Sequence, residues 1–241
     1  MKISVIVPAY NEEKLLAKTL RRIRHSSQAF ARRQWPFELI VCDNNSTDRT
    51  AEIARAHDAQ VVFEPVNQIS RARNRGAAAA SGDWFIFIDA DSRPTPELFE
   101  DVAAAIAAGR CLAGGVTVRF DRAAWSGRML ISFWNAISRT MKWCAGSFIF
   151  VDASAFRSIG GFSEELFASE EIDLSRRLHK LSRALRRPLV ILHRHPLETS
   201  ARKLKLYSAK QHLNMFWKGT FRMRQTLTNR EECHLWYDGR R

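Results

Sequence analysis

Short apolar runs alternate with amphipathic stretches through the first half of the chain. The apolar runs at residues 3–7, 37–42, 61–63 and 84–88 predict strands, and polar or turn-forming residues follow them. Helical spacing places Leu16, Leu20 and Ile23 on one face behind a possible cap at Asn11, and residues 70–81 form a second predicted helix. This order predicts an α/β fold, with a mostly parallel central sheet flanked by helices.

The run at 84–88 leads directly into Asp89 and Asp91. Such a continuous apolar run is typical of a central strand covered on both faces, and ligands of α/β sheets bind at its carboxyl end. Because side chains alternate along a strand, the two carboxylates would point in similar directions and share a divalent cation with a diphosphate. Aspartates also simply end strands and start turns, so the pair alone leaves both interpretations open.

Two more helices carry clear signals. Thr95 followed by Pro96 predicts a helix start. Gly160 and Gly161 predict a tight turn before a helix that opens with Glu170 and Glu171, where acids are favoured by the helix dipole whatever the protein does.

Residues 125–143 combine apolar and aromatic side chains at helical spacing with interleaved cations. A stripe of this kind is more often part of a core. Three tryptophans beside arginines and a lysine also suit an amphipathic helix that lies on a membrane surface.

Composition is that of an ordinary soluble globular protein, with 241 residues, 46% hydrophobic and 26% charged. No apolar run reaches the roughly 18 residues that a membrane span needs, and the first residues do not resemble a signal peptide, so we expect a cytoplasmic protein. The four cysteines are scattered without a CxxC pair, which argues against a zinc site.

The formal net charge of +13 favours polyanionic partners: nucleic acid, phosphorylated substrates or anionic lipid. Much of the excess positive charge lies late in the chain. Residues 201–241 are predicted to form a basic amphipathic extension.

Neither a Gly-x-Gly-x-x-Gly motif nor a P-loop motif follows any predicted strand. In this chain carboxylates follow the predicted strands, at the places where proteins with those two motifs carry the glycines that bind phosphate. A diphosphate beside acids requires a cation between them, which predicts a nucleotide diphosphate held through Mg²⁺ or Mn²⁺.

Six motifs in order resemble the family-two glycosyltransferases of the GT-A fold. They are VIVPAYNEE at 5–13, Asp43-x-x-Ser46 with Asp48 and Thr50, Arg73-Asn-x-Gly76, Asp89-x-Asp91, Gly160-Gly-Phe162 and Glu170-Glu-Ile-Asp-Leu-Ser-x-Arg-Leu178. The order is far more specific than any one motif. The resemblance implies a single GT-A-like, Rossmann-like domain at 1–200, with a nucleotide-sugar-binding half at 1–110 and an acceptor and catalytic half at 111–200.

The resemblance also implies functional roles for individual residues. It places these residues at the donor: Pro8, Ala9, Tyr10, Glu12, Asp43, Arg73 and Asp89. Asp43 would accept a hydrogen bond from the base, Asp89 would contact the ribose and Asp91 would bind the metal. His193 is a candidate third metal ligand or diphosphate contact, as is His195, although a surface or capping role suits each equally. Asp43 can also be a turn residue bonded to nearby backbone, and Arg73 can be a solvated or packed helix residue.

The family usually carries Glu-Asp where this chain has Glu170-Glu171, and the second acid is its general base. The resemblance therefore implies that Glu171 removes the proton from the acceptor hydroxyl, with Glu170 and Asp173 as positioning or capping residues. A single displacement of this type inverts the anomeric centre.

The predicted function is transfer of a sugar from a nucleotide diphosphate sugar to a hydroxyl acceptor, lipid-linked or a cell-envelope polysaccharide precursor, at the inner face of a membrane. Two alternatives stay open. A sugar nucleotidyltransferase should carry a glycine-rich basic loop after the first strand. A nucleic-acid-binding module should place its aromatics on an exposed basic sheet or groove, so no nucleic-acid partner is expected.

Overall fold

The computed structural model describes residues 1–121 and 125–200, so the predicted extension at 201–241 lies outside the described residues. The strands are β1 Ile3–Ala9, β2 Phe37–Asp43, β3 Gln60–Phe63, β4 Trp84–Ile88, β5 Ser92–Arg93, β6 Ala113–Phe120, β7 Phe148–Asp152 and β8 Leu189–Thr199. The helices are α1 Leu16–Ser26, α2 Gln28–Ala31, α3 Thr50–Ala56, α4 Ile69–Ala79, α5 Pro96–Ala107, α6 Trp125–Met141, α7 Ala153–Ser158 and α8 Glu170–Leu185.

All eight strands join one sheet in the order β3-β2-β1-β4-β7-β6-β8-β5. Within the described residues, β1 to β4 pair in parallel with one another, as do β6 and β8, whereas β7 runs antiparallel to both of its neighbours. The predicted α/β architecture with a mostly parallel sheet is confirmed. Strand β4 lies in the middle of that sheet, as its apolar run indicated.

Alternate side chains of β4 enter two separate cores. Ile86 and Ile88 pack with the apolar faces of α1 and α5, and Phe85 and Phe87 pack with α4, α7 and α8 on the other face. All five residues of the strand are buried. Because helices cover both faces, only the ends of this strand are open to a ligand.

Helix α4 lies directly against the sheet because it carries Gly76 at the crossing point. A Cβ built there would stand 2.5 Å from Cγ2 of Ile6 in β1, far inside normal contact. The absence of a side chain at Gly76 is therefore what permits this close approach.

Helix α1 begins at Leu16 and buries the predicted face of Leu16, Leu20 and Ile23. Asn11 does not cap it, so that prediction was wrong. Asn11 has a φ of 52° and its Oδ1 accepts a hydrogen bond from the Thr47 backbone N–H at 2.8 Å. Its side chain therefore joins the loop after β1 to the loop after β2.

Among the described residues, none of the helices combines the length and the apolar character that a membrane crossing requires.

Candidate active site

The polar loops after β1, β2 and β4 meet at one edge of the sheet. These strands are parallel, and Ala9 at the end of β1 pairs with Asp43 at the end of β2. The chain runs from β1 to β2 and β3 on one side and returns to place β4 on the other side of β1. The crevice between the carboxyl ends of β1 and β4 is therefore a topological switch point, where open α/β sheets bind ligands.

The first predicted donor segment closes β1. Pro8 and Ala9 are its last two residues and are buried, and Tyr10 follows half-buried. Glu12 is buried, and its backbone N–H donates to Oγ1 of Thr50 at 2.8 Å. The structure thus brings this segment to the switch point, with the loop after β2 fixed against it.

Asp43 is the last residue of β2 and is buried. Its Oδ1 accepts a hydrogen bond from the backbone N–H of Ser46 at 3.0 Å. The next residue, Asn44, donates from its Nδ2 to the backbone carbonyl of Val66 at 2.6 Å. The turn-forming role that the sequence allowed is therefore present. A carboxylate fixed in this way is also held in one orientation at the donor edge.

The Asp89-Ala90-Asp91 segment lies in a turn beyond β4, since the strand ends at Ile88. The expectation that both carboxylates project from the strand itself was wrong. The turn is held by the Ser92 N–H, which donates to the carbonyl of Asp89 at 3.0 Å, and by Thr19 of α1, whose hydroxyl donates to the carbonyl of Ala90 at 2.7 Å. Helix α1 therefore fixes the height of the acidic turn above the sheet.

Arg73 is not a surface residue, because its side chain is 1% exposed. One terminal nitrogen donates to Oε1 of Glu170 at 2.5 Å, and the other donates to Oδ1 of Asp89 at 3.0 Å and to the Gly146 carbonyl at 2.7 Å. The guanidinium also stacks on the ring of Phe162, 5.1 Å from its centre. The guanidinium is therefore held by protein groups, and the direct donor contact implied for Arg73 stays a prediction.

The two adjacent glutamates at the start of α8 differ in their surroundings. Glu170 is buried, with its side chain 6% exposed, and is paired with Arg73. Glu171 is half-buried and lies across Gly146 from Arg73. A Cβ at Gly146 would be 3.3 Å from the Arg73 guanidinium and 3.5 Å from the Glu171 carboxyl carbon. A larger residue at this position would therefore push the base candidate and the arginine apart.

The pKa of Glu171 is raised from an ordinary 4.5 to about 8. Burial is the main cause and the negative charge of Glu170 adds to it, while the charge of Arg73 acts in the opposite direction. Burial alone would lower the pKa of Arg73, yet the carboxylates of Asp89, Glu170 and Glu171 outweigh burial and raise it. Near neutral pH, Glu171 is thus close to the point at which a carboxyl can take up and release a proton.

The glycine turn before α8 is fixed by Asn74 of α4. Gly160 and Gly161 have φ values of 76° and 70°, which confirms the predicted tight turn. Asn74 donates to the Phe162 carbonyl at 2.9 Å and accepts from the Phe162 N–H at 2.9 Å. A Cβ on Gly161 would lie 2.6 Å from the Asn74 Oδ1. The Arg73-Asn74 pair therefore positions both the start of α8 and the loop that leads to it.

Asp91 faces the far end of β8. Its Oδ1 lies 3.5 Å from Oγ1 of Thr199, and Thr199 pairs in the sheet with Ser92 on one side and Phe120 on the other. Arg93 forms ion pairs with Asp121 at 3.0 Å and with Glu198 at 2.9 Å. These ion pairs stabilise the end of β8 next to Thr199.

His193 is exposed and lies within an irregular stretch of β8, between the residues that pair with Val116 and Val118. Thr199 lies six positions further along the chain, which is up to about 20 Å of extended chain. Nδ1 of His195 is 2.9 Å from Oδ2 of Asp101 on α5. In residues 1–121 and 125–200, no three His, Cys, Asp or Glu side chains form a metal-binding group. Ligation by His193 stays a prediction.

The oxygen ligands at the acidic turn nevertheless fit a divalent cation that binds together with a diphosphate. Mg²⁺ commonly takes one or two protein carboxylates and completes its shell with phosphate oxygens and water. Carboxylate oxygens are also suitable ligands for Mn²⁺. Asp91, with Asp89 beside it, supplies this donor set without a third protein ligand.

Helix α6 distributes the aromatic residues of the stripe between the core and the solvent. Trp125 is 69% exposed and Phe133 is 58% exposed, whereas Trp134 packs on the core and Trp143 is half-buried with Arg176 over its ring. Asn135 on the inner side donates to the Val118 carbonyl and accepts from its N–H, which joins α6 to β6. The helix thus has one apolar side in the core and another in solvent.

Sequence reasoning missed three residues that hold the site in place: Thr19, Asn74 and Gly146. Asn74 was inside a recognised motif, so its position was visible but its bonds were not. Thr19 looks like an ordinary helix residue, and no local signal distinguishes it.

Comparison with known proteins agrees with this fold. Residues 4–163 match the family model described as glycosyl transferase family 2, which is 160 of the 241 residues. The dolichol-phosphate mannosyltransferase of Pyrococcus furiosus is 34% identical over 123 residues, covering 48% of this chain and 33% of that protein. The chain spans a third or less of the length of the first curated relatives that it matches.

Two solved structures share the fold. The mannosyltransferase PcManGT from Pyrobaculum calidifontis, in complex with GDP-Man and Mn²⁺, has a TM-score of 0.69 at 16% identity, covering 94% of this chain and 62% of that one. TarS 1-349 of S. aureus has a TM-score of 0.65 at 19% identity, covering 99% of this chain and 79% of that one. With the family match over most of the sheet and its donor-edge loops, the chain belongs to glycosyl transferase family 2.

Proposed function

We propose that this protein transfers a sugar from a nucleotide diphosphate sugar to a hydroxyl group, with inversion, in a reaction that depends on Mg²⁺ or Mn²⁺. One observation carries the proposal most directly. Arg73 joins Asp89, on the donor side, to Glu170, which adjoins the base candidate Glu171. Carboxylates with different tasks therefore share one crevice at the switch point.

Donor binding is assigned to the end of β1 and to the loops after β2 and β4. The nucleotide base of the donor would lie against Pro8, Ala9, Tyr10 and Glu12. Asp43 would accept a hydrogen bond from that nucleotide base. Asp89 would contact the ribose. These roles rest on the family motifs, and the common edge of the parallel strands supports them.

The proton of the attacking hydroxyl would pass to a carboxylate oxygen of Glu171. The base must be ionised to accept it, and a pKa of about 8 makes it basic enough to do so without remaining protonated at all accessible pH values. Glu170 is less suited because Arg73 already occupies its Oε1. Attack from the face opposite the leaving diphosphate inverts the anomeric carbon.

Asp91 would hold the divalent cation, with Asp89 beside it on the donor. When bound, the cation neutralises the charge that develops on the leaving diphosphate. Thr199 restrains Asp91 from the end of β8. PcManGT, whose fold is similar, is described in complex with Mn²⁺ and a nucleotide sugar, which supports the choice of ion.

The acceptor is proposed to be lipid-linked and presented at a membrane surface. The dolichol-phosphate mannosyltransferase among the relatives is named for such a substrate. Independently, α6 exposes Trp125, Met129, Leu130 and Phe133 beside Arg128. Amphipathic helices with this composition bind the headgroup region of anionic bilayers.

A thermal-shift screen of nucleotide sugars, with and without Mn²⁺, tests the donor proposal. A donor at 100 times its Kd should stabilise the protein by about 2.7 kcal/mol, and only with the cation present. Stabilisation by free nucleoside triphosphate and sugar phosphate, with none from a nucleotide sugar, would favour a nucleotidyltransferase. The anomeric configuration of the product, measured by NMR, then tests inversion.

A further inference from the structure

Adjacent, chemically identical carboxylates raise the question of what gives Glu170 and Glu171 different tasks. They are neighbours on the first turn of α8, where successive side chains point about 100° apart, and they therefore meet different partners. Glu170 meets the buried guanidinium of Arg73 at 2.5 Å, whereas Glu171 is placed across Gly146 from it.

We propose that Arg73 is a positioning residue that holds Glu170 in a buried ion pair, leaves Glu171 to accept the proton, and ties both to the donor side through Asp89. This inference rests on the proposed function. It adds to that function the residue, Arg73, that determines which glutamate acts as the catalytic base.

Two features make Arg73 suited to this task. A guanidinium is planar and presents several donors in a fixed fork, so it binds Asp89, Gly146 and Glu170 at the same time. Stacking on Phe162 sets the plane of that fork. A lysine has a single ammonium group and cannot reach the same three partners with the same geometry.

The surroundings of Glu171 agree with this division. Four charged or titratable groups of the described residues face Glu171. They are Glu170 on its own helix, Arg73 on α4, Asp89 in the turn after β4 and Cys144 in the segment after α6. Glu170 and Asp89 oppose ionisation of Glu171 and Arg73 favours it. Burial raises the pKa of Cys144 to about 12, so this thiol stays neutral.

Two variants test the proposal. Arg73→Lys keeps the charge but loses the fork, so we expect kcat to fall at least tenfold while the Kd of the donor changes less than threefold. Glu170→Gln keeps an oxygen that accepts from Arg73 and removes one negative charge. In ¹³C-carboxyl NMR titrations of the substrate-free protein, with the signal assigned by Glu171→Gln, Glu171 should then titrate at a lower pH by at least half a unit.

Arg187→Lys is the matched control, because Arg187 also donates hydrogen bonds both to a backbone carbonyl and to a carboxylate. The two acceptors are the carbonyl of Cys111 and the side chain of Asp152. Asp152 pairs with Trp84 at the opposite end of β4, roughly 17 Å from Asp89 along the strand. This variant should leave the Glu171 titration and the kcat unchanged.

The outcomes are distinct. A raised donor Kd with unchanged kcat in Arg73→Lys would make Arg73 a donor ligand and overturn the proposal. If Arg73→Lys does not fold, an unshifted Glu171 titration in Glu170→Gln overturns it instead. The NMR measurement needs no substrate, so a protein without transferase activity would contradict the proposed function while the titration still decides the coupling of these residues.

Discussion

Glu171 is the single residue on which the chemistry depends most. Glu171→Gln keeps the shape of the side chain but removes its basicity, so transfer should slow by roughly 10² to 10⁴-fold while donor affinity is retained. Rates and calorimetric donor binding measure the two effects separately.

Asp173→Asn provides the control on the same turn of α8, because Asp173 is paired with Arg177 at 2.7 Å and not with the site. A large rate loss in this control, together with an active Glu171→Gln enzyme, would mean that the base has been assigned to the wrong acid.

The ionisation of Glu171 should also control stability. Its pKa is about 8 in the folded protein and near the ordinary 4.5 in an unfolded chain, so the folded state holds the extra proton between these values. Stability conferred by that protonated group is present below about pH 4.5 and falls as pH rises towards 8.

Glu171→Gln removes this dependence, so the variant should gain stability relative to the unmodified protein as pH rises. Urea unfolding at pH 5 and pH 9 gives the comparison. The same ionisation should make kcat rise with pH through about 8. A stability difference that is constant with pH would show that Glu171 is not perturbed.

Helix α4 acts on the site through its side chains rather than through its ends. Asn74→Ala removes both hydrogen bonds to the Phe162 backbone, which should lower the free energy of unfolding by about 1–3 kcal/mol and reduce kcat. Arg75→Ala changes the next, exposed residue of the same helix and should change stability by less than about 0.5 kcal/mol. Equal effects of the two variants in urea unfolding would argue against this role of Asn74.

The outer side of α6 should determine membrane binding. Met129→Ser combined with Phe133→Ser removes exposed apolar surface, so binding to anionic liposomes should weaken without loss of fold. Sedimentation with liposomes of increasing anionic lipid content, at two salt concentrations, measures the liposome binding of each variant.

Ser132→Asn, an exposed change on the same helix, should have no effect on liposome binding. Trp134→Ala is expected to destabilise the protein instead, because Trp134 packs on the core. Indifference of the unmodified protein to liposomes would remove the membrane proposal, and salt-sensitive binding to RNA would revive the nucleic-acid alternative.

For the whole molecule, the sequence predicted strands β1 to β4, most of the long helices and the edge at which the polar loops meet, but not β5, β6, β7 or α7. The strand predictions worked because β1, β4 and the second half of β2 are buried and so appear as short apolar runs. Thr95 marks a helix start and the 160–161 glycines mark a turn, both by local signals. Strand β8 was visible only as an apolar stretch at 189–192. Its irregular middle and its pairing with the short strand β5 depend on distant residues.

Long-range contacts were the part that the sequence could not supply. Arg73 lies on a helix with charged neighbours and looked solvent-facing, yet it is 1% exposed. Its burial depends on Glu170, 97 residues later, and on Phe162. The donor-edge motifs could be placed because a strand end fixes where a side chain points. The catalytic half depends on how α8 docks against α4, which no local pattern encodes.

The cation dependence of transfer in Asp91→Ala tests the central claim most directly. With the donor found by the thermal-shift screen, transfer by the unmodified protein should require Mg²⁺ or Mn²⁺ and stop when the ion is chelated. Asp91→Ala should be slower by a thousandfold or more, which corresponds to about 4 kcal/mol of lost stabilisation, and Asp58→Ala at an exposed site should be unaffected. Turnover without a divalent cation, or an Asp91→Ala enzyme within tenfold of the parent, would contradict the account.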